Sequence, residues 1–372
     1  MPANLKGVKA LSAVSPRVRE HLARLLPGFR IERVAALAPD SGATRDSTTK
    51  AMGYGAPVRI TLADDQGTTR HLVWRIAASN ELGHDRRADR AASALLAFDD
   101  FACIPQHIQA IDVGAIAASG ELISLRDAGE LYLLTSYAEG TLYADDLRRV
   151  AAAGQATPLD LARVDALASY LAALHTPIDA PLRYRRAIRD LIGSGEGIFG
   201  ILDSYPDDVR GATLERLGEI EARCVDWRWR LRGHEGRLTR THGDFHPFNL
   251  VFDRDQLTCL DASRGGCGDP ADDVTALSIN YLLFALDRPE SWRHGLGPLW
   301  HRFWTSYQRQ RFDPSLTMVA PPFFAWRALV VCNPRFYPNL SGAARSALLG
   351  IAESALAAAH FDPAWADELF DA

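Results

Sequence analysis

Alternating apolar and polar residues in the first third of the chain predict β-strands. The strand-like runs cover residues 29–34, 58–62, 71–76 and 131–134. Between the second and third runs lie residues 64–67 (DDQG), a sequence typical of a hairpin turn. The last run, LYLL at 131–134, is continuously apolar and predicts a buried strand. We therefore expect an antiparallel sheet in this part of the chain.

Helices are predicted for most of the remainder. The segments are 15–26, 85–98, 158–175, 213–231, 276–286, 299–309, 322–332 and 341–361. The segment 85–98 places its apolar residues on one face, which is typical of a helix. The order of elements favours an α+β fold with three parts. These are an N-terminal helical extension (1–28), a sheet-rich lobe with one main helix (29–137) and a helix-rich lobe (138–372).

The amino-acid composition limits the classes of protein to which the chain can belong. The chain is 47% hydrophobic and 23% charged, which is ordinary for a soluble globular protein. Its net charge of −5 disfavours general nucleic-acid binding, which usually leaves a basic surface. No segment approaches the roughly 18 apolar residues of a membrane span. Five scattered cysteines without a CxxC pair favour reduced thiols. We therefore expect a cytoplasmic protein with neither a membrane nor a nucleic acid as partner.

Residues 242–249 (HGDFHPFN) contain a carboxylate, two histidines and an amide. A two-stranded apolar ribbon follows them in the sequence. Two short apolar strands form the ribbon, joined by a turn at 253–256. If the ribbon pairs symmetrically about Asp255, Asn249 lies opposite Asp261 with β-carbons roughly 5 Å apart. An amide oxygen and a carboxylate at that separation suit Mg²⁺, which takes oxygen ligands and keeps positions for water and phosphates.

The spacing from Asp244 to Asn249 matches the protein-kinase catalytic loop, H-R-D-x-x-x-x-N. In that loop the aspartate accepts the proton of the substrate hydroxyl and the asparagine binds metal. Phosphoryl transfer depends on positioning and charge neutralisation more than on covalent chemistry. A base beside a metal site meets that need, so the pattern favours a kinase reaction centre.

The chain resembles the aminoglycoside phosphotransferase / choline kinase-like family. HGDFHPFN at 242–249, Leu260-Asp261 and GDPADD at 268–273 carry the resemblance. It implies a protein-kinase-like bilobal fold, with an N-terminal sheet lobe and a helical C-terminal lobe. It also implies ATP as co-substrate and Mg²⁺ as cofactor.

The same resemblance implies roles for individual residues. Asp244 would be the catalytic base, and Asn249 and Asp261 would be the Mg²⁺ ligands. Support of the site is implied for His242, His246, Asp269 and Asp273. Two features depart from the family pattern. Phe248 replaces the usual glycine before the asparagine, and residues 262–263 (AS) replace a bulky pair after the aspartate.

The sheet lobe lacks the lysine that kinases of this fold carry on the third strand, where it contacts the α- and β-phosphates. Arg75 holds the candidate position, and no lysine follows Lys50 along the chain. The natural acidic partner of Arg75 is Asp89, or else Asp85, on the next helix. Because arginine binds carboxylate or phosphate with two donors, we interpret Arg75 as a phosphate contact. A surface arginine facing solvent is the alternative.

Two further segments are candidates for nucleotide binding. Gly53 and Gly55 precede the second strand and would let backbone amides approach phosphates; a plain turn is the alternative. Ser136, Tyr137 and Ala138 follow the apolar run 131–134. They resemble the family's interlobe hinge, where backbone groups meet adenine.

The acceptor is expected to be a small molecule. Only six residues separate Asp261 from Gly268, whereas a protein kinase needs a much longer segment to dock a polypeptide. An amino sugar, an aminoglycoside-like compound or a related metabolite with a free hydroxyl fits. Candidates for its pocket are Asp287, Glu290, Trp292, Trp300, Trp304, Trp326 and Arg327. Two alternatives stay open: a regulatory nucleotide-binding module without turnover, and a nucleotidyl transferase.

Overall fold

The computed structural model describes residues 15–37, 57–262 and 264–370. The chain divides into two compact units, the first ending at Leu134 and the second beginning at Thr135. In its described part, the first unit combines five short strands with two α-helices, and the second unit is mainly helical, which confirms the predicted α+β class. Within these ranges, no helix is both long enough and apolar enough to cross a bilayer.

The first unit is built on a three-stranded antiparallel sheet. Its elements are α1 (Pro16–Leu25), β1 (Arg30–Ala36), β2 (Val58–Ala63), β3 (Thr69–Trp74), α2 (Arg87–Asp100), β4 (Gly114–Ile116) and β5 (Leu122–Ser124). β2 lies between β1 and β3 and buries Val58, Ile60 and Leu62. α1 adds Val18 and Leu22 to the same core. The helix predicted in the N-terminal extension therefore belongs to the core of this unit.

One strand predicted for this unit is absent. Residues 131–134 form no strand, and their side chains are 67–93% exposed. An apolar run becomes a strand only when a neighbouring strand pairs with its backbone N–H and C=O groups. None of the strands in the described ranges pairs with this run. The apolar face predicted for α2 also lies outside the core, because no residue of α2 is buried.

The second unit is mainly helical. Its strands are β6 (Thr141–Leu142), β7 (Asp208–Val209), β8 (Ala212–Thr213), β9 (Leu250–Asp253) and β10 (Gln256–Cys259). Its helices are α3 (Tyr143–Ala153), α4 (Pro158–Leu174), α5 (Pro181–Gly193), α6 (Ile198–Asp203), α7 (Leu214–Leu231), α8 (Pro270–Asp287), α9 (Gly297–Gln310), α10 (Leu316–Val319), α11 (Pro321–Cys332), α12 (Gly342–Ala358) and α13 (Trp365–Glu368). The helices predicted in this part are confirmed, and α3, α5, α6, α10 and α13 are additional.

Two helices form the centre of the second unit. Fourteen of the 18 residues of α8 are buried, as are eleven of the 12 residues of α11. The two helices pack against each other. A helix that is apolar on nearly all sides is stable only inside a core. The charged residues of α8 and α11 are therefore held by well-packed backbone.

The ribbon formed by β9 and β10 pairs one residue away from the predicted register. Asn249 O accepts a hydrogen bond from Leu260 N (2.8 Å), so Asn249 faces Leu260. The expectation that it lies opposite Asp261 is wrong. The cause is a turn of only two residues, Arg254 and Asp255, in which Arg254 adopts a left-handed φ of 55°. Tight two-residue hairpin turns need such a conformation.

Neighbouring elements hold this ribbon in place. β9 also pairs with β6. On α4, Arg163 donates to Arg254 O (3.1 Å), pairs with Asp146 of α3 and lies over the ring of Phe252 at 4.8 Å. Asn249, directly before β9, is thereby attached to a fixed part of the helical unit.

Gly140 is expected to be essential for the pairing of β6 with β9. It adopts a φ of +128°, and a Cβ at this position would lie 2.5 Å from Phe252 O. We predict that Gly140→Ala lowers the free energy of unfolding by about 2–3 kcal/mol, because backbone strain and a steric clash add. Urea denaturation measures the change. As a control, Gly154→Ala has a φ of +67° and no atom within 4 Å of the added Cβ, so it should cost about 1 kcal/mol. Equal losses in the two variants would contradict this account.

Candidate active site

A buried carboxylate on α8 holds the backbone of the HGD sequence. Asp273 accepts hydrogen bonds from His242 N (2.7 Å) and Gly243 N (2.8 Å). Its Oδ2 also accepts from Nε2 of His175 (3.2 Å). Burial raises the pKa of Asp273, but the hydrogen bonds from His175 and the two amides outweigh it and bring the pKa below its usual value. Asp273 is therefore ionised and fixes the chain directly before Asp244.

Gly243 makes the turn that presents Asp244. Its φ of +84° is left-handed, a conformation that glycine adopts without strain. Asp244 N donates to Nδ1 of His242 (3.3 Å), which closes the turn. The Asp244 side chain is 25% exposed. The catalytic-base candidate is thus partly open to solvent on a rigid backbone.

Both oxygens of the Asp244 carboxylate are held by donors. Oδ1 accepts from Arg327 Nη1 (2.9 Å), and Oδ2 accepts from Asn249 Nδ2 (3.3 Å) and lies 3.2 Å from His246 Nε2. Since His246 Nδ1 accepts from Phe248 N (3.3 Å), the neutral ring carries its proton on Nε2 and donates to Asp244. Burial raises the pKa of Asp244, but the His246 bond and the Arg327 charge outweigh it and hold the pKa well below its usual value. Asp244 is therefore a carboxylate at neutral pH, the form that accepts a proton.

Asn249 and Asp261 offer oxygen atoms to a cation. Asn249 Nδ2 donates to the carbonyl (3.1 Å) and to the carboxylate of Asp244, while its Oδ1 has no hydrogen-bond partner among the described residues. Asp261 is exposed, and with those same residues it makes no ion pair and no side-chain hydrogen bond. Its φ of +28° turns the chain two residues after β10. Amide and carboxylate oxygens are ligands that Mg²⁺ prefers, so the donor set fits this ion.

Two protein ligands, Asn249 and Asp261, are also a number that fits Mg²⁺. In the described part of the chain, no group of three or more His, Cys, Asp or Glu side chains could hold a metal ion. A cation bound by Asn249 and Asp261 would have positions left for water and nucleotide phosphates. Mg²⁺ in kinase sites is held in this way, by one or two carboxylates, substrate phosphates and several waters.

Asp269 organises the start of α8. It caps the helix by accepting from Ala271 N (2.9 Å), and Arg237 donates to both of its oxygens (2.8 and 2.9 Å). Tyr184 OH of α5 donates to it as well (2.9 Å). These contacts tie the loop before α8 to the helical unit, which is the kind of support that the sequence implied for Asp269.

Two arginines beside Asp244 form a cluster that local sequence patterns do not signal. Arg327 of α11 bridges Asp244 and Asp272, with 2.8 Å to the latter. Arg264 Nη2 lies 3.6 Å from an oxygen of each of the same two carboxylates. Both guanidinium groups lie over the ring of Trp326, at 3.9 and 4.0 Å from its centre. Arg327 is 83 residues from Asp244 along the chain, so only the tertiary fold reveals this contact.

The side chains predicted for the acceptor pocket separate into three groups. Trp292, Trp300 and Trp304 are buried in the core of the second unit. Asp287 and Glu290 are exposed. Arg327 contacts the Asp244 carboxylate, and Trp326 lies beside it, under the Arg327 guanidinium.

Of the residues predicted to bind nucleotide in the first unit, the structure describes Arg75 and Asp89, which lie at different elements. Arg75 is exposed, lies one residue beyond β3 and has no ion pair with any residue in the described ranges. Asp89 accepts from Arg86 N (2.9 Å) and so caps α2. Gly53 and Gly55 lie outside the described residues.

The predicted hinge residues lie at the beginning of the second unit. Ser136, Tyr137 and Ala138 form irregular chain, and the Tyr137 side chain is 85% exposed. Their backbone N–H and C=O groups have no hydrogen-bond partner among the residues that the structure describes. Such groups are able to bind a planar heterocycle through its ring nitrogens.

The chain matches the model of a known protein family. The model of the phosphotransferase enzyme family (APH) matches residues 64–312, about two thirds of the chain. This range includes β3 and the site residues from Asp244 to Asp273, whereas Arg327 of α11 lies beyond it. No curated protein sequence matches the chain.

Solved structures give distant likenesses. A glucosamine kinase in complex with glucosamine, ADP and inorganic phosphate is 15% identical, with 92% of this chain and 97% of that chain covered and a TM-score of 0.38. A macrolide 2'-phosphotransferase type I is 16% identical, with 91% and 96% covered and a TM-score of 0.30. A choline/ethanolamine kinase family protein from Mesorhizobium loti is 13% identical, with 81% and 89% covered and a TM-score of 0.35. At this distance, the acceptor of this chain does not follow from theirs.

Asp273 holds the loop before Asp244, so its substitution is expected to lower the stability of the protein. Asp273→Asn removes the buried charge and replaces one acceptor oxygen by an NH₂ group that faces a backbone donor. We expect a loss of about 3 kcal/mol in the free energy of unfolding, measured by urea denaturation. Asp145→Asn is the control, because Asp145 pairs with Arg148 at the surface, where such pairs contribute little. A loss no larger than in this control would show that Asp273 does not hold the loop.

Proposed function

Because this chain belongs to the phosphotransferase enzyme family, we propose that it is a small-molecule kinase in which Asp244 is the base and Asn249 and Asp261 hold Mg²⁺. The chain is an ATP-dependent phosphotransferase that acts on an alcohol group. The acceptor that we propose is an amino sugar, an aminoglycoside-like compound or a related metabolite with a free hydroxyl.

One observation carries the proposal. Asp244 and Asn249 lie in contact, with the carboxylate ionised and the amide oxygen turned away from it. A base and a cation ligand are therefore adjacent but distinct, as transfer between a hydroxyl and a nucleotide phosphate requires.

The reaction follows from these positions. Asp244 accepts a hydrogen bond from the acceptor hydroxyl and orients its oxygen toward the γ-phosphorus. As the new O–P bond forms, the bond to the β-phosphate oxygen breaks and ADP leaves. The hydroxyl proton passes to the Asp244 carboxylate and from there to solvent. A bound Mg²⁺ would neutralise charge on the phosphates.

Fewer contacts support the nucleotide-binding residues than support Asp244 and Asn249. We assign Arg75 to a nucleotide phosphate, Gly53 and Gly55 to backbone contacts with phosphate, and the backbone at 136–138 to adenine. The exposed Arg75 guanidinium supports the first of these assignments, and the last is supported by the backbone groups at 136–138, which have no hydrogen-bond partner among the described residues. Since Asp89 caps α2, its part is to position that helix.

Asp244→Asn is expected to abolish transfer while ATP binding is retained. The amide keeps the size of the carboxylate but cannot accept the hydroxyl proton, so we predict a fall in kcat of at least about 10³-fold. The measurement is ADP release with ATP, Mg²⁺ and a panel of hydroxylated amines and sugars, with mass spectrometry of the product. ATP affinity is measured by calorimetry. Unchanged turnover would remove Asp244 from the mechanism, and addition of a nucleotidyl group in place of a phosphoryl group would overturn the reaction type.

Asp261→Asn tests the cation site. Loss of its charge should raise the Mg²⁺ concentration for half-maximal activity by about tenfold or more, since even indirect partners of a metal contribute that much. The matched control is Asp255→Asn, an exposed aspartate in the turn of the same ribbon. It should leave the Mg²⁺ requirement unchanged. Equal Mg²⁺ requirements in the two variants would exclude Asp261 as a ligand.

A further inference from the structure

We infer that Arg327 is a positioning residue for the base, because its guanidinium fixes the Asp244 carboxylate in the orientation that phosphoryl transfer needs. This inference depends on the proposed function of Asp244. It adds a residue of α11, far from the HGD sequence along the chain, to the reaction centre.

Among the side chains that contact Asp244, Arg327 comes closest. The distance from Arg327 Nη1 to Oδ1 is 2.9 Å, against 3.2 Å for His246 and 3.3 Å for Asn249 on Oδ2. A separation of 2.9 Å is typical of a charge-assisted hydrogen bond, which is about twice as strong as a neutral one. Arg327 therefore contributes most to the orientation of the carboxylate.

Arg327 is itself held rigidly. Nη2 donates to Gly243 O (3.2 Å) and to Asp272 Oδ1 (2.8 Å). The guanidinium lies 4.0 Å from the ring centre of Trp326, whose Nε1 donates to Glu196 O (3.1 Å). The side chain is 7% exposed. One planar group thus joins the base, the carbonyl of the residue before it and the first turn of α8.

Arg264 does not duplicate this function. It lies 3.6 Å from the Asp244 carboxylate, and its Nη2 is buried with no hydrogen-bond partner among the described residues. Burial and the neighbouring Arg327 charge lower the pKa of Arg264 to about 10. Arg264 adds positive charge beside the base, but Arg327 is the arginine that bonds to it.

The arrangement around Arg327 is costly if it serves stability alone. Its Nε is buried and has no hydrogen-bond partner in the described part of the chain, and an ion pair taken out of water regains little net energy. Its partner Asp244 lies on a loop that Asp273 already holds through backbone amides. What the backbone bonds leave undetermined is the rotation of the carboxylate, which Arg327 holds at Oδ1 while His246 and Asn249 contact Oδ2.

The test compares Arg327→Ala and Arg327→Lys with the unmodified protein. Activity is phosphate transfer to an acceptor found in the panel of hydroxylated amines and sugars, or phosphate release from ATP to water if none is found. Because a displacement of about 1 Å costs about 100-fold, we expect Arg327→Ala to lower kcat by that factor. KM for ATP should change by less than about threefold. Arg327→Lys should lose about tenfold, since an ammonium is a point charge without the planar fork.

Added guanidinium separates positioning from folding. Guanidinium chloride at about 50 mM should restore at least about tenfold of the lost kcat in Arg327→Ala, because the ion occupies the space of the missing group. The control is Arg216→Ala, which removes an arginine that binds both oxygens of Glu353 between α7 and α12. It should lower stability while kcat stays unchanged, with or without guanidinium.

Three outcomes decide the inference. A folded Arg327→Ala protein with kcat within about twofold of the unmodified value would overturn it. If Arg327→Ala does not fold, Arg327→Lys decides in the same way. Equal losses of kcat in Arg327→Ala and Arg216→Ala would mark a fold effect and also overturn it. If Asp244→Asn is inactive in the same assay and Arg327→Ala keeps its kcat, only the role of Arg327 is rejected. If Asp244→Asn is active, the proposed function of Asp244 is rejected as well.

Discussion

The buried carboxylate of Asp273 is the constraint on which the rest of the site depends. Its side chain is fully buried, and a charge in such a place is tolerated only when its oxygens are all used. Two backbone amides and His175 use them. Because those amides belong to His242 and Gly243, the bonds that stabilise the buried charge also fix the turn that presents Asp244.

The helical core supplies the rigidity that the loop lacks by itself. α8 carries Asp272 and Asp273 on its first turn, where the positive end of the helix dipole favours carboxylates. α11 carries Arg327, and the two helices are buried and packed together. The cluster joins two arginines, Arg264 and Arg327, to two carboxyl groups, Asp244 and Asp272, and burial raises the pKa of Asp272. Its groups are preorganised before any nucleotide binds, which is how an enzyme limits reorganisation during the reaction.

Sequence reasoning succeeded where chemistry is local. The spacing from Asp244 to Asn249 lies within six residues, and the structure places the two side chains in contact. It failed where the backbone conformation of a turn or the packing of distant elements decides. The register of the ribbon depends on the left-handed φ of Arg254, which no residue preference signals, since arginine is not a usual residue for that conformation. An apolar run such as 131–134 resembles a strand whether or not a partner is present. Arg327 joins Asp244 only through the packing of α11.

A structure with a non-hydrolysable ATP analogue and Mn²⁺ in place of Mg²⁺ tests the central claim most directly. Anomalous scattering locates the ion. The account predicts an ion about 2.1 Å from Asn249 Oδ1 and from the Asp261 carboxylate, with Asp244 outside its coordination shell and still bonded to Arg327. An ion held elsewhere, or one that takes Asp244 as a ligand, would contradict the assignment of base and cation site.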